Sequence, residues 1–305
     1  MKTKNLLYTF LILLMMCCYS KSIPTNDMRV GYNLASPNQT FILPEILHEI
    51  SGLTYIDSVS FACIQDENGK LFIYNVETQQ LQNEYTFHLD GDYEGITRVE
   101  KTIYVLRSDG GLFEISDYQD TGFTLTTHET GIPANNNEGL CYDPEQNRLL
   151  IAAKGKLDKS PENKDRRVIY GFDLKTKRLS PSPVFEFNLQ SIKEYAVTNN
   201  IELASKFKKN GKDAGPMIRF MTSAIGIHPI THNLYLLSAA DHMLFVFDMQ
   251  GNIKHIEQLN ADIFNKAEGL TFFENGDMLI TNEGQNKKPT LLRFNYQTKN
   301  DTCRD

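Results

Sequence analysis

Five places in the chain carry the same short phrase, and three of them put a carboxylate at its head. The phrase reads Ser51-Gly52-Leu53-Thr54-Tyr55, Glu94-Gly95-Ile96-Thr97, Glu138-Gly139-Leu140-Cys141-Tyr142, Ser223-Ala224-Ile225-Gly226-Ile227 and Glu268-Gly269-Leu270-Thr271-Phe272. If equivalent positions converge on one axis, Glu94, Glu138 and Glu268 form a partial ring, with Ser51 and Ser223 in the two remaining places. Carboxylates crowded into a narrow, partly dehydrated space raise one another's pKa unless a cation compensates them. Several hard oxygen donors suit Ca²⁺ better than zinc, with water and serine or carbonyl oxygens completing the shell. The alternative is turn chemistry, in which the glycine allows a tight approach and the glutamate is solvated at the mouth.

Other candidates are weaker. Glu283 closes the strand pattern after Thr281-Asn282 and is a possible further residue at the mouth. His228 and His232 are separated by Pro229, so they cannot face one another across a helix turn and read as turn residues. Asp66-Glu67-Asn68-Gly69-Lys70 lacks the spacing and the closing glutamate of a calcium loop and reads as a hairpin turn. No Gly-rich phosphate loop, nucleophile elbow or paired-cysteine zinc spacing is present.

The elements that would position the ring follow from the repeat. Successive phrases start 43, 44, 85 and 45 residues apart. After each phrase come a turn, a β-rich run such as Thr102 to Leu106, a second run such as Gly111 to Ile115, and a more polar one such as Phe123 to Leu125. Four short strands per repeat is the pattern of a propeller blade, in which the first strand lines a central channel. The sequence therefore predicts an all-β, five-bladed β-propeller. The long interval is read as an enlarged third blade: a polar stretch over 155–167, then a helix over 189–209 with Ile192, Tyr195, Ile201, Leu203 and Phe207 on one face. Six blades, one with a decayed phrase, is the alternative. Thr40 to Leu43 precede the first phrase and can supply the outer strand of the last blade.

The chain has 305 residues, with 31 basic and 38 acidic side chains and a net charge of −7, and no basic cluster with interleaved aromatics. A nucleic-acid partner is not expected. Lys2 and Lys4 precede an apolar run from Leu6 to Met16, which Cys17 and Cys18 follow. Basic flank, short apolar run and cysteine are the layout of an export signal with a lipidation site. The run is too short for a comfortable membrane span, which takes roughly 20 residues. The expected layout is a signal and lipobox over 1–18, a tether over 19–37 and the propeller over 38–305, with lipidation at Cys17 or Cys18. Cleavage near Ser20 or Ser22 and simple secretion is the alternative, and an uncleaved anchor a further one. Cys63 and Cys141 fall in strand patterns and are expected as buried thiols, with Cys303 left over.

The phrases "EISGLTY", "EGITRVEKTIYVL", "EGLCYDPEQNRLLIAAKG", "SAIGIHPITHNLYLLSAADHMLFVFD" and "AEGLTFFENGDMLITNEG" resemble the SdiA-regulated (YjiK-like) bacterial proteins, distant relatives of the NHL-repeat propellers. The resemblance covers roughly residues 40 to 296. It implies a five-bladed propeller with a Ca²⁺ site in the channel, in exported or membrane-attached proteins of unknown biochemical role, and makes Glu94, Glu138 and Glu268 the ligands. Two functional classes follow. One is a lipid-anchored, monomeric binding or scaffold module of the cell envelope, its ligand a protein, a glycan or a small molecule. The other is a calcium-dependent hydrolase of lactones or phosphoesters, with the metal polarising a substrate oxygen.

Overall fold

The computed structural model describes residues 30–119, 122–207 and 213–298. The expected export signal, Cys17, Cys18, most of the expected tether and Cys303 lie outside them. Five small antiparallel sheets form a five-bladed β-propeller. Blade one is built from Ile50–Tyr55, Ser60–Gln65, Lys70–Asn75 and Gln80–Thr86, and blade two from Tyr93–Val99, Thr102–Arg107, Gly111–Ser116 and Thr124–Glu129. Blade three has Asn137–Asp143, Arg148–Ala153 and Arg166–Asp173, the last pairing with both Arg178–Leu179 and Phe185–Asn188. Blade four comprises Ala224–Ile227, Leu234–Ser238, Met243–Phe247 and Ile253–Gln258. Blade five runs Ala267–Phe272, Met278–Asn282 and Thr290–Phe294, and Gln39–Ile42 adds its outer strand, so the two ends of the chain close one sheet.

Burial explains the grading of the strands. The inner strands are apolar without alternation, as Ser60–Gln65 shows by being buried at every position, because both of their faces pack against other blades. The outer strands are half solvated: Gln80–Thr86 is exposed at most positions. The apolar side chains gather between successive blades. Phe61, Phe72 and Leu279 pack where blade five meets blade one, Ile64, Tyr93 and Phe113 between blades one and two, and Leu112, Leu149 and Phe172 between two and three. Cys63 and Cys141 are buried and free.

One expectation is corrected. The helix of blade three covers only Leu189–Thr198, not 189–209. Asn188 caps it by accepting from Gln190 N and Ser191 N, and the chain leaves the helical region at Asn200, where φ is +57°. Beyond it Ala204–Phe207 and Asp213–Met217 form a separate hairpin, while Ile201 and Leu203 still pack on the apolar cluster between blades three and four. The first described residues pack on the propeller. Tyr32 and Leu34 are buried, and Tyr32 OH donates to Gly276 O at 2.5 Å.

Candidate site at the channel mouth

The phrase marks a structural irregularity. In blades one, two, three and five the inner strand slips register against its neighbour at the phrase, between Ile50 and Gly52, Tyr93 and Gly95, Asn137 and Gly139, and Ala267 and Gly269. Ser51, Glu94, Glu138 and Glu268 are the extra residues of these β-bulges. A bulge re-aims one side chain while the strand continues. In blade four the inner strand starts at Ala224, and Ser223 precedes it.

Two of the three glutamates are buried, and Glu94 is half-buried. Glu138 is 2% exposed and Glu268 6%. Glu138 pairs through Oε1 with Lys154 Nζ, and its Oε2 has no hydrogen-bond partner among the described residues. Lys266 Nζ lies 3.6 Å from Glu268 Oε1 and 2.5 Å from Glu283 Oε2. The three ring carboxyls also feel one another. Burial, then the charges of Glu138 and Asp92, push Glu94 up to about 9, with Lys154 opposing. Burial and Glu138 push Glu268 up to about 8 against the pull of Lys266. Burial lifts Glu138 to about 7, held back mainly by Lys154. Both ammonium groups are held above their ordinary value: burial would lower them, but the hydrogen bonds and charges of the glutamates outweigh it.

The structure thus brings Glu94, Glu138, Glu268 and Glu283 into one electrostatic cluster, and it uses the serines differently. Ser51 Oγ donates to Tyr93 O at 2.7 Å and Ser223 Oγ to Ala267 O at 2.7 Å. Each hydroxyl grips the carbonyl just before the next blade's glutamate. Glu283, read from the sequence as a residue near the mouth, is 8% exposed and fully engaged with Lys266.

Lys154 and Lys266 escaped the sequence reading because they lie one column outside the phrase. Asp66, Ser108, Lys154 and Glu283 each follow the second strand of their blade, and the backbone N–H of each donates to the residue two before the bulge: Glu49, Asp92, Asn136 and Lys266. Reading those two columns of the repeat would have found the whole mouth. Asp66 belongs to it too, raised to about 7 by burial and then by its hydrogen bond to Glu49 and the nearby Glu283.

The donor set matches a hard cation in kind, carboxylate oxygens with one buried and orphaned, but not in spacing. Among the described residues no group of three or more His, Cys, Asp or Glu side chains is gathered closely enough to hold a metal. The charge compensation expected from an ion is provided in part by two ammonium groups. His228 has a packing role: it is fully buried among Tyr32, Tyr235, Phe272 and Tyr296, and its Nδ1 accepts from Ile230 N and Thr231 N. Burial lowers its pKa to about 4. Asp66 to Gly69 form the expected hairpin turn, closed by Gln65 Oε1 accepting from Glu67 N and Asn68 N.

No protein-family model and no curated protein matches the chain. Among solved structures, the glutaminyl cyclase of Myxococcus xanthus is similar with a TM-score of 0.56 at 12% identity, over 86% of this chain and 96% of that one. A streptogramin B lyase gives a TM-score of 0.48 at 11% identity, over 84% of this chain and 97% of that one. A luciferin-regenerating enzyme gives 0.47 at 11% identity, over 85% and 95%. At 12% identity the likeness to the cyclase is one of fold alone.

Proposed function

We propose that the chain is an exported, lipid-anchored binding or scaffold module of the SdiA-regulated (YjiK-like) kind, whose channel mouth takes Ca²⁺. The observation that carries the reading is the surplus of buried negative charge. Glu138, Glu268 and Glu283 are buried and Glu94 and Asp66 half-buried. Among the described residues the cations that pair with this cluster are Lys154 and Lys266, and Glu138 Oε2 is left without a partner. Glu94, Glu138 and Glu268 would hold the ion, with Ser51 and Ser223 keeping the bulges in place. An envelope protein, a glycan or a small molecule would then dock at the mouth. The export signal and Cys17 or Cys18 support a lipid anchor, and two hydrophobic signals would make it stable.

Thermal denaturation with Ca²⁺ and with chelator tests the metal. An ion bound only by the folded state adds about 2.7 kcal/mol at a hundredfold excess over Kd. Glu138→Gln should lose most of that increment, since it removes one formal charge with little change of shape. Equal increments in both proteins would sink the shared site. Incorporation of labelled palmitate, and extraction only by detergent, test the anchor.

A second reading, the calcium-dependent hydrolase, is favoured by one feature. Glu138 is held at about 7 beside Lys154, the range a general base needs. A bound Ca²⁺ would polarise a lactone or phosphoester oxygen. Turnover of such esters that Glu138→Gln abolishes would select this reading over the scaffold.

A further inference from the structure

The insertion of blade three builds a second site beside the mouth. A cleft of about 630 Å³ lies between the inserted segment and the upper edge of blade four, within the volume range, roughly 300–1,000 Å³, typical of small-molecule sites. Leu203, Met217, Met243 and Leu259 give it apolar walls, and Arg219 and His242 supply polar groups. It shares a face with the glutamate ring. Ala240 lines it, and the preceding Ala239 donates its N–H to Ser223 Oγ at 3.2 Å. The cleft therefore opens at the sector of the ring that carries neither a glutamate nor a lysine.

The lining carries Asp241 and Glu202 as well as Arg219, and the hydrogen bonds say which of these groups is free to meet a ligand. Both oxygens of Asp241 are consumed: Oδ1 accepts from Arg219 N at 2.9 Å, and Oδ2 from Phe220 N at 2.7 Å and Ser238 Oγ at 2.8 Å. Those bonds fix the backbone of Arg219, and the buried Arg167 fixes it again, through Nε to Phe220 O and Nη2 to Arg219 O. The Arg219 guanidinium itself makes only one long contact, Nη1 to Ala240 O at 3.4 Å, and no ion pair among the described residues. Glu202, the other acid of the lining, is exposed. His242 is held in the left-handed region at φ +48°, with Nδ1 against Phe264 O at 3.0 Å, which leaves Nε2 uncommitted.

We infer that this cleft binds an amphiphilic organic anion: an apolar body on the methionine and leucine walls, and one carboxylate, sulfonate or phosphate on the Arg219 fork. A positioned guanidinium matches such oxyanions with two parallel hydrogen bonds. The acidic mouth next door fixes the polarity, because it repels the anionic end and leaves only the uncharged end to approach Ser223. The site is separate from the glutamate ring and does not depend on Ca²⁺.

The test uses the full chain and two dyes, 8-anilinonaphthalene-1-sulfonate and its uncharged counterpart N-phenyl-1-naphthylamine. One equivalent of the sulfonate should bind the native protein, and octanoate should displace it. Arg219→Gln should weaken the sulfonate at least tenfold and leave the neutral dye unchanged. Ala240→Trp, at an exposed position on the cleft wall, should abolish both while the melting temperature holds. No sulfonate binding to the native protein, an unchanged affinity in Arg219→Gln, or both dyes still bound by Ala240→Trp would overturn the proposal. Failure of the calcium increment would leave all of these readings intact.

Discussion

Glu94 is the most strongly perturbed of the ring carboxyls. Its folded value, about 9, lies far above the ordinary glutamate value of 4.5. Below the ordinary value both folded and unfolded chains hold the proton, and the group costs nothing. Between the two values the folded state binds more protons than the unfolded one, so stability falls as pH rises, and the loss is complete above about 9. Glu94→Gln keeps the neutral form at every pH. Its melting temperature should therefore decline less than that of the wild type between about pH 6 and about pH 9. Parallel curves would show that Glu94 is not buried with its proton. Calcium should flatten the wild-type curve in the same window, by stabilising the charged form that burial disfavours. The three glutamates were legible as a ring because the phrase repeats them in one column. Lys154 and Lys266 were not, because a repeat read by its apolar phrase says nothing about the polar residues on either side.

At the scale of the strand, the glycine of the phrase is a packing device. A Cβ on Gly52 would stand 3.0 Å from Ile96 Cγ2, one on Gly95 2.8 Å from Leu140 Cβ, and one on Gly139 3.0 Å from Ile225 Cγ1, while one on Gly269 would stand 2.7 Å from Leu53 Cδ2. Blades one, two, three and five each offer a gap to the branched residue of the next blade's phrase, while blade four carries Ala224 at that position. Gly95→Ala should cost about 1–3 kcal/mol by overpacking, because Leu140 Cβ and the Glu138 carbonyl have little room to yield. Ser51→Ala should cost a similar amount, about 1–3 kcal/mol, by leaving the buried carbonyl of Tyr93 short of its donor. Urea denaturation reads both. A midpoint within error of the wild type for Ser51→Ala would return that serine to the list of free channel donors. The sequence reading of the glycine as a tight-approach residue holds. What it had no access to was the neighbouring strand, to whose carbonyls both serine hydroxyls donate.

The whole molecule is closed by its own ends. Gln39–Ile42 completes the last blade against Thr290–Phe294, and Tyr32 clips the next layer through Gly276 and the ring of Tyr296. Phe41 is 8% exposed and packs with Leu43, Phe273 and Leu291. Phe41→Ala should therefore cost about 3–5 kcal/mol. Removing the chain through Ile42 should leave the Thr290–Phe294 edge unpaired and drive aggregation. A soluble, monomeric product with the wild-type midpoint would show that the closure is dispensable. The clip also sets direction. His228, Gly276 and Tyr296 lie beyond the ends of the inner strands away from the glutamates, so Tyr32 packs on the opposite face of the propeller.

Blade number, the strand that joins the two ends and the ring column were all determined by local information: the period of the phrase, the run of β-formers after each turn, and one spare strand before the first repeat. These survive in a linear reading because each blade is assembled from neighbours in sequence. Tertiary structure alone decided which groups meet at the axis. The bulges that re-aim Glu94, Glu138 and Glu268 and the lysines that meet Glu138 and Glu268 arise within single blades, from strand pairing that the phrase alone does not record. The grip of the serines and the cleft between the blade-three insertion and blade four depend instead on contacts between blades. Such contacts join residues some 40 or more positions apart, Ser51 to Tyr93 and Ser223 to Ala267 among them. The end of the helix at Thr198 was similarly hidden, since Ile201 and Leu203 keep facing the same apolar cluster after the helix has stopped. Burial there is set by what the segment lies against, and periodicity records the burial without recording the backbone that delivers it.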